Sequence, residues 1–183
     1  IMPCGTGKSL VGVHIVKKMT PKRSLIVAPS LALVKQLIDT YAEQGGLQRV
    51  MVVCSDDSTA KEAREKFEIP GVTTDATLIA SELRKRSGIM VFSTYQSSPK
   101  IAAAFADGNL PAFDLAVFDE AHHMAGGSKI FTTALDDDRI KIRKRLFMTA
   151  TPRVATQSAK DQATEDGYEF ASMDDEAQFG REA

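Results

Sequence analysis

Met2-Pro3-Cys4-Gly5-Thr6-Gly7-Lys8-Ser9 is the stretch on which the reading of this 183-residue chain turns. Gly5 and Gly7 lack a Cβ, so the backbone there can curl and turn successive N–H groups inward around phosphate oxygens. Lys8 adds a compact positive charge and Ser9 a hydroxyl suited to Mg²⁺. From Lys8 to Lys18 the chain reads as a helix with Leu10, Val11, His14 and Ile15 on one stripe, so the helix N-terminus points at the same phosphates. Met2 stands where the strict form of the pattern has a glycine five residues before Gly7. A preceding strand normally aims such a loop, and Ile1 opens almost directly on it. The expectation is a piece of a longer polypeptide, with its first strand truncated and any targeting segment on the missing flank.

Around that loop the composition is ordinary. Hydrophobic residues make up 43% and charged residues 26%, which fits a soluble α/β domain long enough to bury a core, followed by a tail. A net charge of −1 and a pI near 6.4 exclude a globally basic protein, so any contact with nucleic acid must come from local patches. Cys4 and Cys54 form no spaced set; neither a disulfide framework nor a zinc site is indicated, and a reducing, cytoplasmic setting is the expectation. No run reaches the roughly 18 apolar residues of a membrane span, so no membrane partner is expected.

Downstream, apolar runs alternate with helical patterns. Arg23 to Ala28 reads as a buried parallel strand; Ser30 then caps a helix carrying Leu33, Val34, Leu37, Ile38 and Tyr41, which Gly45-Gly46 stops. Val50 to Cys54, Ile89 to Ser93, Asp114 to Phe118 and Arg145 to Met148 read as further strands. Helices are expected from Thr74 or Asp75 to Arg86, with Leu78, Ile79 and Leu83 inward, and around Lys100 to Ala106. Ser55 to Gly88 is less regular, broken by a polar run and by Pro70-Gly71. This order predicts βαβ units and a parallel sheet flanked by helices. From Gln157 the chain turns polar and acidic, so residues 1–153 are read as the domain and 154–183 as a linker or the start of another domain. Arg84-Lys85-Arg86 could touch phosphates, whereas the basic run Arg139 to Arg145 beside Asp136-Asp137-Asp138 reads as a solvated, internally paired loop.

In open parallel sheets, ligands sit beyond the carboxyl ends of the strands, and there the remaining polar motifs fall. Asp119 leaves a hydrophobic strand as a carboxylate able to share a metal with Ser9. Glu120, one residue on, points differently and can orient or deprotonate a water. The bland alternative is an acid pair at a helix N-terminus. His122-His123 lack a third ligand, so a metal reading is set aside.

Gly5-Thr6-Gly7-Lys8-Ser9, Pro29 with its helix, Thr94-Tyr95-Gln96-Ser97, Asp119-Glu120-Ala121-His122 and Thr149-Ala150-Thr151 together resemble motifs I, Ia, Ic, II and III of superfamily 2 helicases. The DEAH form followed by T-A-T-P-R is similar to DNA translocases related to the helicase subunits of restriction enzymes. The resemblance covers Met2 to about Arg153 and implies a first RecA-like domain that binds ATP and Mg²⁺. It implies ATP contacts from Gly5, Thr6, Gly7, Lys8, Ser9 and Leu10, metal contacts from Ser9 and Asp119, and catalysis by Glu120 with Lys8 and Asp119. His122, Thr149, Ala150 and Thr151 would link nucleotide state to grip on nucleic acid. Pro29, Ser30, Lys35, Thr94, Tyr95 and Gln96 would line the nucleic-acid face, although capping explains Ser30 and packing explains Tyr95 without any ligand.

The implied partners are nucleic acid, DNA ahead of RNA, the second RecA-like domain of the same polypeptide, and nuclease or methylase parts. Motifs IV to VI and the arginine finger of that second domain are absent from the chain, so slow hydrolysis is expected of it alone. Two competitors stand beside this reading: another phosphate-loop NTPase, and a nucleotide-responsive scaffold module without useful turnover.

Overall fold

The computed structural model describes residues 7–47, 49–54, 72–85, 88–106, 109–125, 130, 132–156, 158 and 171–180. Among them, the chain runs α1 (Lys8–Met19), β1 (Arg23–Ala28), α2 (Leu31–Glu43), β2 (Arg49–Val53), β3 (Val72–Thr73), α3 (Ala76–Arg84), β4 (Ile89–Thr94), α4 (Ser98–Phe105), β5 (Leu115–Asp119), β6 (Arg145–Met148) and α5 (Glu176–Phe179). The strands form one six-stranded sheet in the order β3-β2-β4-β1-β5-β6, and every pair is parallel. The central strands β1, β4 and β5 are near-continuous apolar runs because both faces of the sheet are covered.

Strand alternation sends the side chains to two cores. Leu25, Val27, Val91, Ala116 and Phe118 lie on one face with Ile79 and Leu83 of α3 and Ile101 and Phe105 of α4. Ile26, Ala28, Phe92, Leu115 and Val117 lie on the other with Val13 and Val16 of α1 and Val34, Leu37 and Tyr41 of α2. The result is a three-layer α/β/α arrangement. Helix starts follow local chemistry: the Ser30 hydroxyl accepts from the Leu33 N–H, and the Asp75 carboxylate accepts from Thr77 and Leu78, holding its own pKa below the usual value.

Three expectations are corrected. In α1 the inward residues are Gly12, Val13 and Val16, whereas Leu10 and His14 are exposed; a glycine gives no hydropathy signal, so the stripe was read one position off. Leu78 is exposed, and Ala80 is buried beside Ile79 and Leu83 instead. Asp119 belongs to β5 rather than following it. Within the polar stretch that follows Gln157, residues 171–180 pack onto the body. Ala171 and Phe179 enter the core, Phe179 meets Phe147 with centroids 5.0 Å apart, and Met173 N–H donates to the Arg153 carbonyl. The loop before β6 pairs internally as expected, Arg145 with Asp137 at 2.7 Å and Arg139 with Asp136 at 3.6 Å. The irregular stretch 55–71 and Arg86 lie outside the described residues.

Candidate functional site

Gly7 opens α1 in the left-handed conformation, φ 83° and ψ 28°, which glycine adopts without a Cβ clash. Among the described residues no side chain caps the helix, and no acid occupies its first turn, so its N-terminal dipole suits an anion from elsewhere. Lys8 and Ser9 follow in that turn, both half-buried, and Leu10 faces outward. Gly5 and Thr6 lie outside the described residues.

β5 brings the acids to the same place. Leu115, Val117 and Asp119 alternate onto the sheet face that carries α1, and Asp119 is 6% exposed. At Glu120 the alternation breaks, because its backbone is left-handed, φ 49° and ψ 50°, a conformation that costs a residue with a Cβ about 1–3 kcal/mol. The turn places the Glu120 carboxylate 3.8 Å from the Lys8 ammonium. Lys8 and Glu120, far apart in the chain, therefore meet across the end of the sheet.

Burial raises the Asp119 pKa above the usual carboxylate range, and the negative charge of Glu120 raises it further; the Glu120 N–H, donated at 3.1 Å, and the Lys8 charge pull the other way. A half-desolvated carboxylate beside a second acid is a site that gains by receiving a cation. The donor set suits Mg²⁺: hard oxygens, few of them from protein, the rest left to water and phosphate. Among the described residues no group of three or more His, Cys, Asp or Glu could hold a metal without such help.

Around the acids the motifs join. His122 Nδ1 lies 3.0 Å from Thr149 Oγ1 and 3.4 Å from Glu120 Oε2, so β5 and β6 are tied through one imidazole. Thr149 Oγ1 also accepts the Thr151 N–H at 3.2 Å. The His123 pKa is pushed down, first by burial and then by His122 and Arg153. Tyr95 reaches from the end of β4 across β1 to donate its hydroxyl to the Asp119 carbonyl at 2.8 Å.

The segments expected to face nucleic acid leave neighbouring strands at one level, since Ala28 of β1 is in register with Thr94 of β4. Ser30 and Gln96 are exposed, Pro29 and Lys35 half-buried. Thr94 and Tyr95 are buried, so the Tyr95 side chain is turned away from that surface because its ring completes the core under β5. Sequence reasoning missed Gly12, which packs against Met148 and Tyr41 where α1 meets the sheet. A Cβ at Gly12 would lie 3.3 Å from Met148 Cε and 3.4 Å from Tyr41 Oη. An isolated glycine inside a helical pattern was the available signal.

Comparison with known proteins agrees with this geometry. The family described as "Type III restriction enzyme, res subunit" matches residues 1–154. The chain belongs to this family. Probable helicase A859L of African swine fever virus is 31% identical in the Pretoriuskop isolate and 32% in the Malawi isolate, over 158 residues and 85% of the chain. The chain spans 17% of the length of these curated relatives. Among solved structures, a nuclease-deletion mutant of the Type ISP restriction-modification enzyme LlaGI in complex with a DNA substrate mimic superposes with a TM-score of 0.70 at 26% identity, covering 98% of this chain and 17% of that one. The Type ISP enzyme LlaBIII bound to DNA gives 0.70 at 27% identity, with 98% and 13% covered. The Hef helicase domain of Pyrococcus furiosus gives 0.57 at 19% identity over 98% of this chain and 35% of that one, a likeness of fold. The res-subunit match and these relatives identify a first RecA-like domain of the superfamily 2 helicases, and so a helicase-type nucleotide hydrolase family.

Proposed function

We propose that this chain is the ATP-binding and hydrolysing half of a DEAH-type helicase or translocase that works on DNA in the cytoplasm. The observation that carries the reading is the approach of Lys8 to Glu120 at 3.8 Å beside buried Asp119. A cation from the phosphate loop and two acids from a strand end converge there on a volume bounded by the uncapped start of α1. Lys8 and the first N–H groups of α1 bind the phosphates, with Gly5, Thr6 and Gly7 completing the cradle. Ser9 and Asp119 would hold Mg²⁺, which when bound neutralises charge developing on the phosphoryl oxygens. Glu120 orients the attacking water and accepts its proton. The Glu120–His122–Thr149 chain conveys a change at the nucleotide to β6 and the Thr149-Ala150-Thr151 segment.

DNA as the strand is supported by the two DNA-bound restriction enzymes of like fold, and Pro29, Ser30, Lys35, Thr94 and Gln96 are the candidates to face it. A second RecA-like domain would supply the arginine finger, worth roughly 10³ to 10⁵ in rate, with nuclease or methylase parts as further partners. The test is Glu120→Gln in the full-length protein. ATP affinity should stay within about twofold while DNA-stimulated hydrolysis falls by a factor on the order of 10² or more. Undiminished turnover would refute the assignment.

A further inference from the structure

Tyr95 is 0% exposed although the next residue, Gln96, is exposed. Its ring stacks on Phe118, centroids 6.5 Å apart and planes 20° from parallel, and leans on His123 at 6.3 Å. Packing alone needs no hydroxyl, yet the hydroxyl donates to the Asp119 carbonyl at 2.8 Å. That carbonyl belongs to the peptide plane joining Asp119 to Glu120. Rotation of this plane about the Glu120 N–Cα bond is the φ of Glu120, which stands at 49°. A left-handed residue bearing a Cβ persists only where its surroundings over-determine it. Here both ends of the plane are tied: the C=O by Tyr95, the N–H by Oδ1 of Asp119 at 3.1 Å.

We propose that Tyr95 is a positioning residue for hydrolysis, its hydroxyl holding the Asp119–Glu120 peptide plane so that the Glu120 carboxylate stays beside Lys8. The inference rests on the function proposed above and deepens it. Tyr95 begins a short 3₁₀ turn, Tyr95–Ser97, that presents Gln96 to solvent on the side where strand contact is expected. The turn that meets the strand and the plane that aims the general base thus share one side chain. The Thr94 Oγ1···Ser97 Oγ bond of 2.9 Å closes the turn from within.

Tyr95→Phe in the full-length protein keeps the ring and removes the hydroxyl. The expected result is a roughly tenfold fall in DNA-stimulated kcat per folded molecule, with KM for ATP changed less than about twofold. In a Glu120→Gln background, read by single-turnover hydrolysis, Tyr95→Phe should add no further loss, because it acts through Glu120. A merely structural tyrosine would lower the melting temperature and leave kcat of the folded fraction at the wild-type value. That outcome, or a loss that adds in full to Glu120→Gln, overturns the inference. Wild-type turnover in Glu120→Gln itself would instead bring down the proposed function, and this inference with it.

Discussion

Asp119 shows how a single residue trades stability for readiness. Burial and the charge of Glu120 raise its folded-state pKa above the unfolded value of 3.8, so the folded protein holds this proton more tightly than the unfolded chain does. Stability therefore falls as pH rises from the unfolded value through the folded one, and at neutral pH the ionised carboxylate is a net penalty in the absence of a cation. Asp119→Asn should melt above the wild type near pH 7, with the gap closing as the pH falls through the raised folded-state value and below the unfolded one of 3.8, where the wild-type carboxyl is itself protonated. Thermal melts across that range check the sign. A gap that grows on acidification would show that the carboxylate is stabilising as it stands. The same substitution should remove Mg²⁺-dependent turnover.

Among the elements, α1 meets its neighbours at a glycine. Gly12 lets the helix approach β6 and α2, where Met148 Cε and Tyr41 Oη would lie 3.3 and 3.4 Å from an added Cβ. Gly12→Ala gains about 1 kcal/mol of helix propensity, which crowding offsets in part, the flexible Met148 end limiting the loss; the net change should stay within about 1 kcal/mol. Gly12→Leu has no room and should cost about 1–3 kcal/mol by denaturant unfolding, with weakened ATP binding as the start of α1 is lifted. Full stability in Gly12→Leu would mean that the helix is free to shift. Here lies the reason that hydropathy misplaces the stripe of α1: it weighs side chains, and buried Gly12 has none.

For the molecule as a whole, the return of residues 171–180 is the feature that composition concealed. Phe179 is largely buried against Phe147 at the β6 edge, and the Ser172 hydroxyl accepts the Ala155 N–H at 2.9 Å. Phe179→Ala should cost about 3 kcal/mol, the low end for a buried phenylalanine, measured by urea unfolding. No loss would return this segment to the status of a linker. At the same scale, a chain with one RecA-like domain should hydrolyse ATP roughly 10³-fold or more slowly than one in which a second domain supplies its arginine. Comparing this chain with one joined to a second RecA-like domain, at saturating DNA, measures the difference.

Much of this protein was legible in its sequence. Apolar runs marked five of the six described strands, with Arg23–Ala28 and Arg145–Met148 read to the residue, whereas the two-residue β3 is too short to leave such a run. Ser30 marked where α2 begins and the pair Thr74 or Asp75 where α3 begins, and Asp119-Glu120 fall at a strand end as read. These are short-range properties, written in periodicity and capping. Tertiary structure alone decided that Lys8 meets Glu120, that His122 bridges to Thr149, that Tyr95 turns inward to grip the Asp119 carbonyl, and that Phe179 comes back to β6. Each depends on the sheet order β4-β1-β5-β6, which sets remote segments side by side, and no local pattern carries the identity of a neighbour that only packing supplies.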